Sequence, residues 1–298
     1  MKNSIFYGIS ASMFFAFTFI FNRSMNLSGG SWVWSGALRY VFMLPILIII
    51  VIKQNGIKEL FLSIKGNMLY WIIWSTVGFG LFYAPLTFAS DYGQSWLVAG
   101  CWQITIVAGI LLTPFFDKKM PLKSLMMSSI ILLGVFLIQY EHAAAVSMKD
   151  ILLCIIPILI AAFSYPLGNR KMMQLCSARL STTQRVLGMT ICSMPFWILL
   201  GWYGYIKDGA PSMNQINQSL IVAVFSGVIA TLLFFKATEI VKDNMAQLAM
   251  VEATQCGEVI FTLIGGILFL GDSIPGTSGI IGLLMIIIGM IINSIFTE

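Results

Sequence analysis

The chain is short of ionisable and reactive side chains. Only 10% of its 298 residues are charged, against about 25% in soluble domains, which excludes an ordinary water-soluble fold. His142 is the sole histidine, so histidine-based catalysis and histidine-rich metal clusters lack material. The five cysteines (Cys101, Cys154, Cys176, Cys192, Cys256) show no CxxC spacing, and all but Cys176 fall well inside apolar runs. A disulfide framework or zinc site is therefore not expected. There is no P-loop, no HExxH and no Ser-His-Asp set. An ATP-driven pump is excluded on this chain alone, and no metal or cofactor is expected.

What is present is hydrophobic. Apolar residues make up 58% of the chain, and the mean hydropathy is +0.91. Apolar spans recur at roughly 3–22, 31–52, 67–89, 95–116, 122–140, 150–169, 183–205, 218–237, 245–270 and 276–296. Each approaches the ~20 residues that a bilayer-crossing helix needs. The expected class is an all-α polytopic membrane protein with ten transmembrane helices in the lipid bilayer. The first run, Ile5 to Phe21, ends in Asn22-Arg23 without a small-residue cleavage signature. It reads as a retained helix, not a signal peptide.

Charge orients the spans. With the N-terminus inside, twelve lysines and arginines fall at inner ends and loops, from Lys2 through Lys53, Lys118 and Arg170 to Lys242. Only Arg23, Lys149 and Lys207 fall outside, while Arg39 and Arg185 lie within spans. Positive residues favour the cytoplasmic side, so both termini are expected in the cytoplasm, in a multi-pass protein of the plasma membrane. The net charge of +5 thus reflects topology and implies no nucleic-acid partner. Trp32, Trp34, Trp71, Tyr203 and Tyr205 lie near span ends, where interfacial aromatics belong.

The chain also repeats itself. FAFTFIFNR, ending at Arg23, matches AAFSYPLGNR, ending at Arg170. Ser35 and Arg39 match Ser181 and Arg185; Gln103 matches Gln255, Pro121 matches Pro275, and Gly134 matches Gly289. Five spans precede the second copy, and an odd number inverts it. The expected organisation is therefore two inverted five-helix repeats, 1–142 and 148–298. Such repeats characterise secondary transporters, which bind solute near the midplane between the halves.

Ten spans built five plus five, with an arginine early in the second span of each half, resemble the drug/metabolite transporter superfamily. The LAMVEATQCGEVIFTLIGGILFLGDSIP run is similar to that superfamily's ninth helix and following turn. Within it the chain is most similar to the multidrug-resistance efflux branch. The resemblance implies drug–proton exchange, which the small four-helix exporters run from a glutamate in their first helix. Here no acidic residue lies between Lys2 and Arg23, so Glu252 and Glu258 would take that place from another helix.

Those two carboxylates, with Gln255 between them, form a winding polar stripe in the apolar run Ala246 to Leu270. A charge near the bilayer centre costs at least ~2.5 kcal/mol and must face protein or water. Glu258, nearest the midplane, reads as a proton or cation site, or else as a neutral or paired structural carboxyl. Glu252 can do the same, or snorkel and pair with Lys236 or Lys242. Arg39 and Arg185 are either a carboxylate clamp or structural partners for helix carbonyls. Gln103 and Gln255 line a cavity or join helices. Trp102, Trp34, Tyr83, Tyr165 and Trp96 can build an aromatic wall suited to organic cations, or simply pack. Pro85 and Pro166 are hinges or tolerated kinks.

The function expected is a secondary active transporter that exports organic cations, drugs or small metabolites, coupled to protons or another ion, acting as a monomer or homodimer. The alternative is an uptake carrier or facilitator for a small metabolite such as an amino acid or nucleoside. A third, weaker reading is an intramembrane enzyme. Topology is directly testable: a cysteine placed at residue 298 should resist membrane-impermeant labelling of intact cells and react only after permeabilisation.

Overall fold

The computed structural model describes residues 2–116, 122–143, 147–176, 179–241, 251 and 254–295, and among them it is helical throughout with no strands. In hydrocarbon every backbone N–H and C=O must be satisfied internally, and long apolar runs meet that demand as helices. Six helices are long and apolar enough to cross a membrane: α1 (Lys2–Leu27), α2 (Trp32–Lys53), α4 (Met68–Ala89), α7 (Met148–Cys176), α8 (Thr182–Asp208) and α9 (Met213–Thr238, continuing to Val241). Further apolar helices are α5 (Ser95–Leu111), α6 (Leu122–Ala143), α10 (Cys256–Leu270) and α11 (Thr277–Ile295). Six membrane-length helices are thus present among the described residues, where ten spans were expected; α5 and α10 fall short of the ~20 residues that a span needs.

Two departures have simple causes. The connection 53–66, expected as a loop, holds a short helix, α3 (Ile57–Gly66), whose buried Leu60 tucks beneath the bundle. Trp71, expected at an interface, is fully buried, with its indole N–H donated to Ser63 at 3.3 Å. The α3 helix covers it and takes the place that lipid headgroups would have held.

Packing follows a recurrent scheme. Helix α1 lies against α9 and α10, and α7 lies against α4 and α5. Helices α2 and α8 face each other, as do α6 and α11. The last pair approaches closely because Gly134 and Gly282 meet there: a Cβ on Gly134 would stand 2.6 Å from the Gly282 carbonyl oxygen. Small residues at such a crossing let backbones pack without side-chain interference.

At one end of the bundle a polar belt ties the loops together. Arg23 donates to the Ser90 carbonyl, and Asn26 donates to Asp91 at 2.8 Å. Ser31 bonds Asp208 at 2.6 Å, and Trp34 donates to the Gly209 carbonyl at 2.9 Å. Asp272 accepts from the backbone N–H and hydroxyl of Ser95, at the start of α5. Glu141 accepts from the N–H groups of Gly276 and Gly279 and the hydroxyl of Ser278, at the start of α11. Carboxylates at helix N-termini satisfy otherwise orphaned donors and complement the helix dipole.

Within this belt Asp91 pays for its surroundings. Desolvation raises its pKa from 3.8 to about 6, outweighing the lowering influences of Asn26, Arg23 and Lys207 and reinforced by Asp208. A carboxyl whose folded pKa is raised contributes stability below its unfolded pKa and loses it as pH rises through the folded value. The melting temperature of the wild type should therefore fall relative to Asp91→Asn between about pH 4 and pH 7.5. A difference between the two proteins that stays constant over that range would show that the charge is not penalised.

Candidate functional site

Where the apolar pattern carries polar residues, the helices break. In α5 the segments Ser95–Trp102 and Ile104–Leu111 are separated by Gln103. In the matching position Gln255 precedes the helix that starts at Cys256. Both glutamines are followed by the same local bond: Ile106 N–H to the Gln103 carbonyl at 3.1 Å, and Glu258 N–H to the Gln255 carbonyl at 2.9 Å. The expected polar stripe is therefore not carried on one continuous helix. Glu258 sits in the first turn of a helix, where the N-terminal partial charge favours an anion.

Interruptions of a second kind occur in α4 and α9, at Thr76–Gly80 and Ala223–Ala230, which are wound as π-helix. Such segments turn side chains out of the α-helical register and concentrate at functional sites. They carry Phe79 and Ser226 to the same cavity.

That cavity has a volume of about 440 Å³, within the ~300–1,000 Å³ of small-molecule sites. Its wall includes Arg39, Trp102, Gln103, Tyr165, Gln255 and Glu258. Glu258 is 7% exposed and receives a long bond, 3.5 Å, from the Gln103 amide, which is also donated to the Ala99 carbonyl at 3.2 Å. Arg39 is 6% exposed. Its guanidinium lies 4.2 Å from the centre of the Tyr83 ring and donates to the Thr18 hydroxyl at 3.0 Å. Thr18 in turn meets Ser226 at 2.5 Å. Arg39 and Glu258 act on each other electrostatically across the cavity. Trp102, Tyr165 and Phe82 form an aromatic trio with centroids 4.8–5.7 Å apart. The wall runs from mid-bundle toward the end opposite the polar belt, where Arg170 donates to the Gly109 carbonyl at 2.7 Å.

The remaining expected residues lie elsewhere. Tyr83 stands behind Arg39, exchanging hydrogen bonds with Asn22 at 3.2 and 3.3 Å. Trp96 bonds Gln94 at 2.6 Å near the belt. Trp34 is outside the cavity, bordering a separate apolar depression with Trp197 and Trp202. Arg185 is outside the wall too, though its charge acts on Tyr165. Glu252 and Lys242 lie outside the described residues. Sequence reasoning missed Phe82, Tyr40, Thr18, Ser226 and Arg170, all on the wall. Arg170 was legible only as a repeat partner of Arg23. Hydroxyls and aromatics give no signal in an apolar run until a π-turn or a break aims them inward. Among the described residues, no group of three His, Cys, Asp or Glu could hold a metal.

Residues 1–298, the whole chain, match the EmrE family, described as "Putative multidrug resistance efflux transporter". The chain belongs to this family. The EmrE family lies in the drug/metabolite transporter superfamily, as the resemblance of the sequence implied. Membership and the membrane-length helices together make this a multi-pass membrane protein of a transporter family. It is 52% identical over 308 residues to "Uncharacterized protein YjlA" of Bacillus subtilis (strain 168), covering 99% of this chain and 95% of that protein. It is 48% identical over 273 residues to a Shouchella clausii protein described as "Uncharacterized 42.1 kDa protein in intracellular alkaline protease 3'region", covering 88% of this chain and 72% of that one. A solved structure described as "Crystal structure of protein" shares the fold, with a TM-score of 0.64 at 9% identity, covering 97% of this chain and 96% of the other.

The aromatic trio generates a direct test. A solute that raises the melting temperature of the wild type should bind Trp102→Ala more weakly by about 0.5–1.5 kcal/mol, the worth of an aromatic contact. Trp202→Ala, at a position 67% exposed on the outside, should bind as the wild type does. Equal affinities in calorimetric titrations would remove Trp102 from the binding surface.

Proposed function

We propose that the chain is a proton-coupled secondary transporter of organic cations or small metabolites, working by alternating access between two inverted five-helix halves. The observation that carries this is Glu258, a buried carboxyl at a helix break on the wall of a solute-sized cavity. An ionisable group at membrane depth is costly and is retained where protons or solutes pass. Broken helices at cavity depth are the usual way transporters expose polar groups to a solute.

The inverted ten-span arrangement is supported by interruptions that recur in register. Gln103 interrupts α5 and Gln255 immediately precedes α10, and π-helical turns mark α4 and α9. The packing also exchanges evenly, the first helix of each half lying on the third and fourth spans of the other. Repeat-related arginines have unlike environments: Arg23 sits in the belt, Arg170 on the cavity wall. Unequal environments for matched residues are what a single state of an alternating pair requires. With both termini cytoplasmic, the belt is the closed outer side and the cavity faces inward.

In this mechanism Glu258 exchanges a proton for solute, and Gln103 and Gln255 orient what is bound. A second reading, an uptake carrier or facilitator, draws on Arg39, whose buried positive charge on the same wall suits a solute with an anionic group. Glu258→Gln preserves size but cannot release a proton. In proteoliposomes under an imposed pH gradient it should abolish concentrative transport while leaving passive exchange. Wild-type concentration by this variant would make Glu258 structural and end the proton-coupling mechanism.

A further inference from the structure

The cavity wall holds a guanidinium and a carboxyl that form no ion pair with each other. Arg39 is 6% exposed, yet among the described residues its guanidinium meets one hydroxyl and one aromatic face, and its Nε has no hydrogen-bond partner. A guanidinium stays charged in any environment, and a buried charge without compensation is costly. The side-chain N–H donors of Gln255 are likewise buried without a partner. Among the described residues, the Glu258 carboxyl receives only the long bond from Gln103. A packed protein would close such a pair into an ion bridge; here a cavity of about 440 Å³ stands between them instead.

We infer that this cavity binds a zwitterionic solute, with its carboxylate on Arg39 and Gln255, its ammonium on Glu258, and an apolar or aromatic body against Trp102, Tyr165 and Phe82. The assignment rests on the transporter reading above and narrows it. Each unmet group has one complement in such a molecule. The Arg39 guanidinium and the Gln255 side chain belong to the wall and supply the cationic and amide groups that meet a carboxylate, and charge-assisted bonds of this kind are strong. Glu258 offers an acceptor to an ammonium, whose charge also suits the faces of the aromatic trio. A simple organic cation leaves Arg39 uncompensated and repelled; a simple anion meets Glu258 as a like charge. Arg170, another cation on the wall, already donates to the Gly109 carbonyl. Because neither charge is satisfied by the protein alone, discrimination follows from the penalty of leaving one of them unpaired.

Three probes that differ by single groups test this: phenylalanine, phenethylamine, which lacks the carboxylate, and 3-phenylpropionate, which lacks the ammonium. Calorimetric titration of the purified full chain should show phenylalanine binding tighter than either analogue by about 10- to 100-fold, the value of one charged hydrogen bond. Arg39→Gln should level phenylalanine with phenethylamine, and Glu258→Gln should level it with 3-phenylpropionate. Should a variant fail to fold, the comparison of the three probes on the wild type still decides. Phenethylamine binding as tightly as phenylalanine would overturn the inference, as would failure of phenylalanine to bind. Transport separates the two levels of the argument. In proteoliposomes with an internal pH-sensitive dye, phenylalanine should dissipate an imposed pH gradient faster than in protein-free liposomes, while the analogues, which cross lipid as neutral molecules, should dissipate it no faster than they do without protein. If tetraphenylphosphonium dissipates it and phenylalanine does not, the transporter reading stands and the zwitterion is wrong. If no probe moves protons yet phenylalanine binds selectively, the zwitterion site stands and proton coupling is wrong.

Discussion

Hydrocarbon does not solvate charge, and the arrangement of this molecule follows from that constraint. Arg39 and Glu258 are both buried, and neither can be turned toward lipid without a cost of several kcal/mol. They are held instead on an internal surface built where helices deviate from regular winding. The interruption at Gln103 and the helix start after Gln255 place amides and a helix N-terminus on that surface, and the π-helical turns at Thr76–Gly80 and Ala223–Ala230 carry Phe79 and Ser226 to it. Irregular backbone is tolerable at this depth only where it lines a cavity or is covered by protein.

The two ends of the bundle are built differently. One end is sewn by side chains of adjacent loops, with Asp272 and Glu141 capping α5 and α11 and with Asn26 bound to Asp91. These bonds are short and polar, so they can be exchanged for water without unpacking the apolar helices beneath. The α6–α11 pair is held the other way, by close glycine-mediated contact, which has no comparable alternative. The bundle thus combines exchangeable polar ties with a rigid, closely packed pair.

Much of the site was legible in the residues. Ionisable groups stand out in an apolar chain because their burial is penalised, so Glu258, Arg39 and the matched glutamines were visible as candidates before any geometry was known. Trp102 and Tyr165 were visible as aromatics beside them. Trp34 and Trp71 were misjudged for a common reason. An aromatic near a span end can face headgroups, protein or a loop helix, and the α3 helix that covers Trp71 carries too weak an apolar pattern to announce itself.

The sequence by itself determined the helical membrane class, the number of apolar segments and the family, because run length, charge bias and repeat register are one-dimensional properties. It also determined which residues could not rest in lipid. Only the tertiary structure decided which of them share a cavity. Arg39 and Arg185 hold equivalent positions in the repeat, yet only Arg39 is on the wall. Gln103 and Glu258 are 155 residues apart and come together through packing alone. Matched sequence predicts equal local structure at the matched positions. It cannot predict unequal surroundings, because those depend on how helices distant in the chain pack.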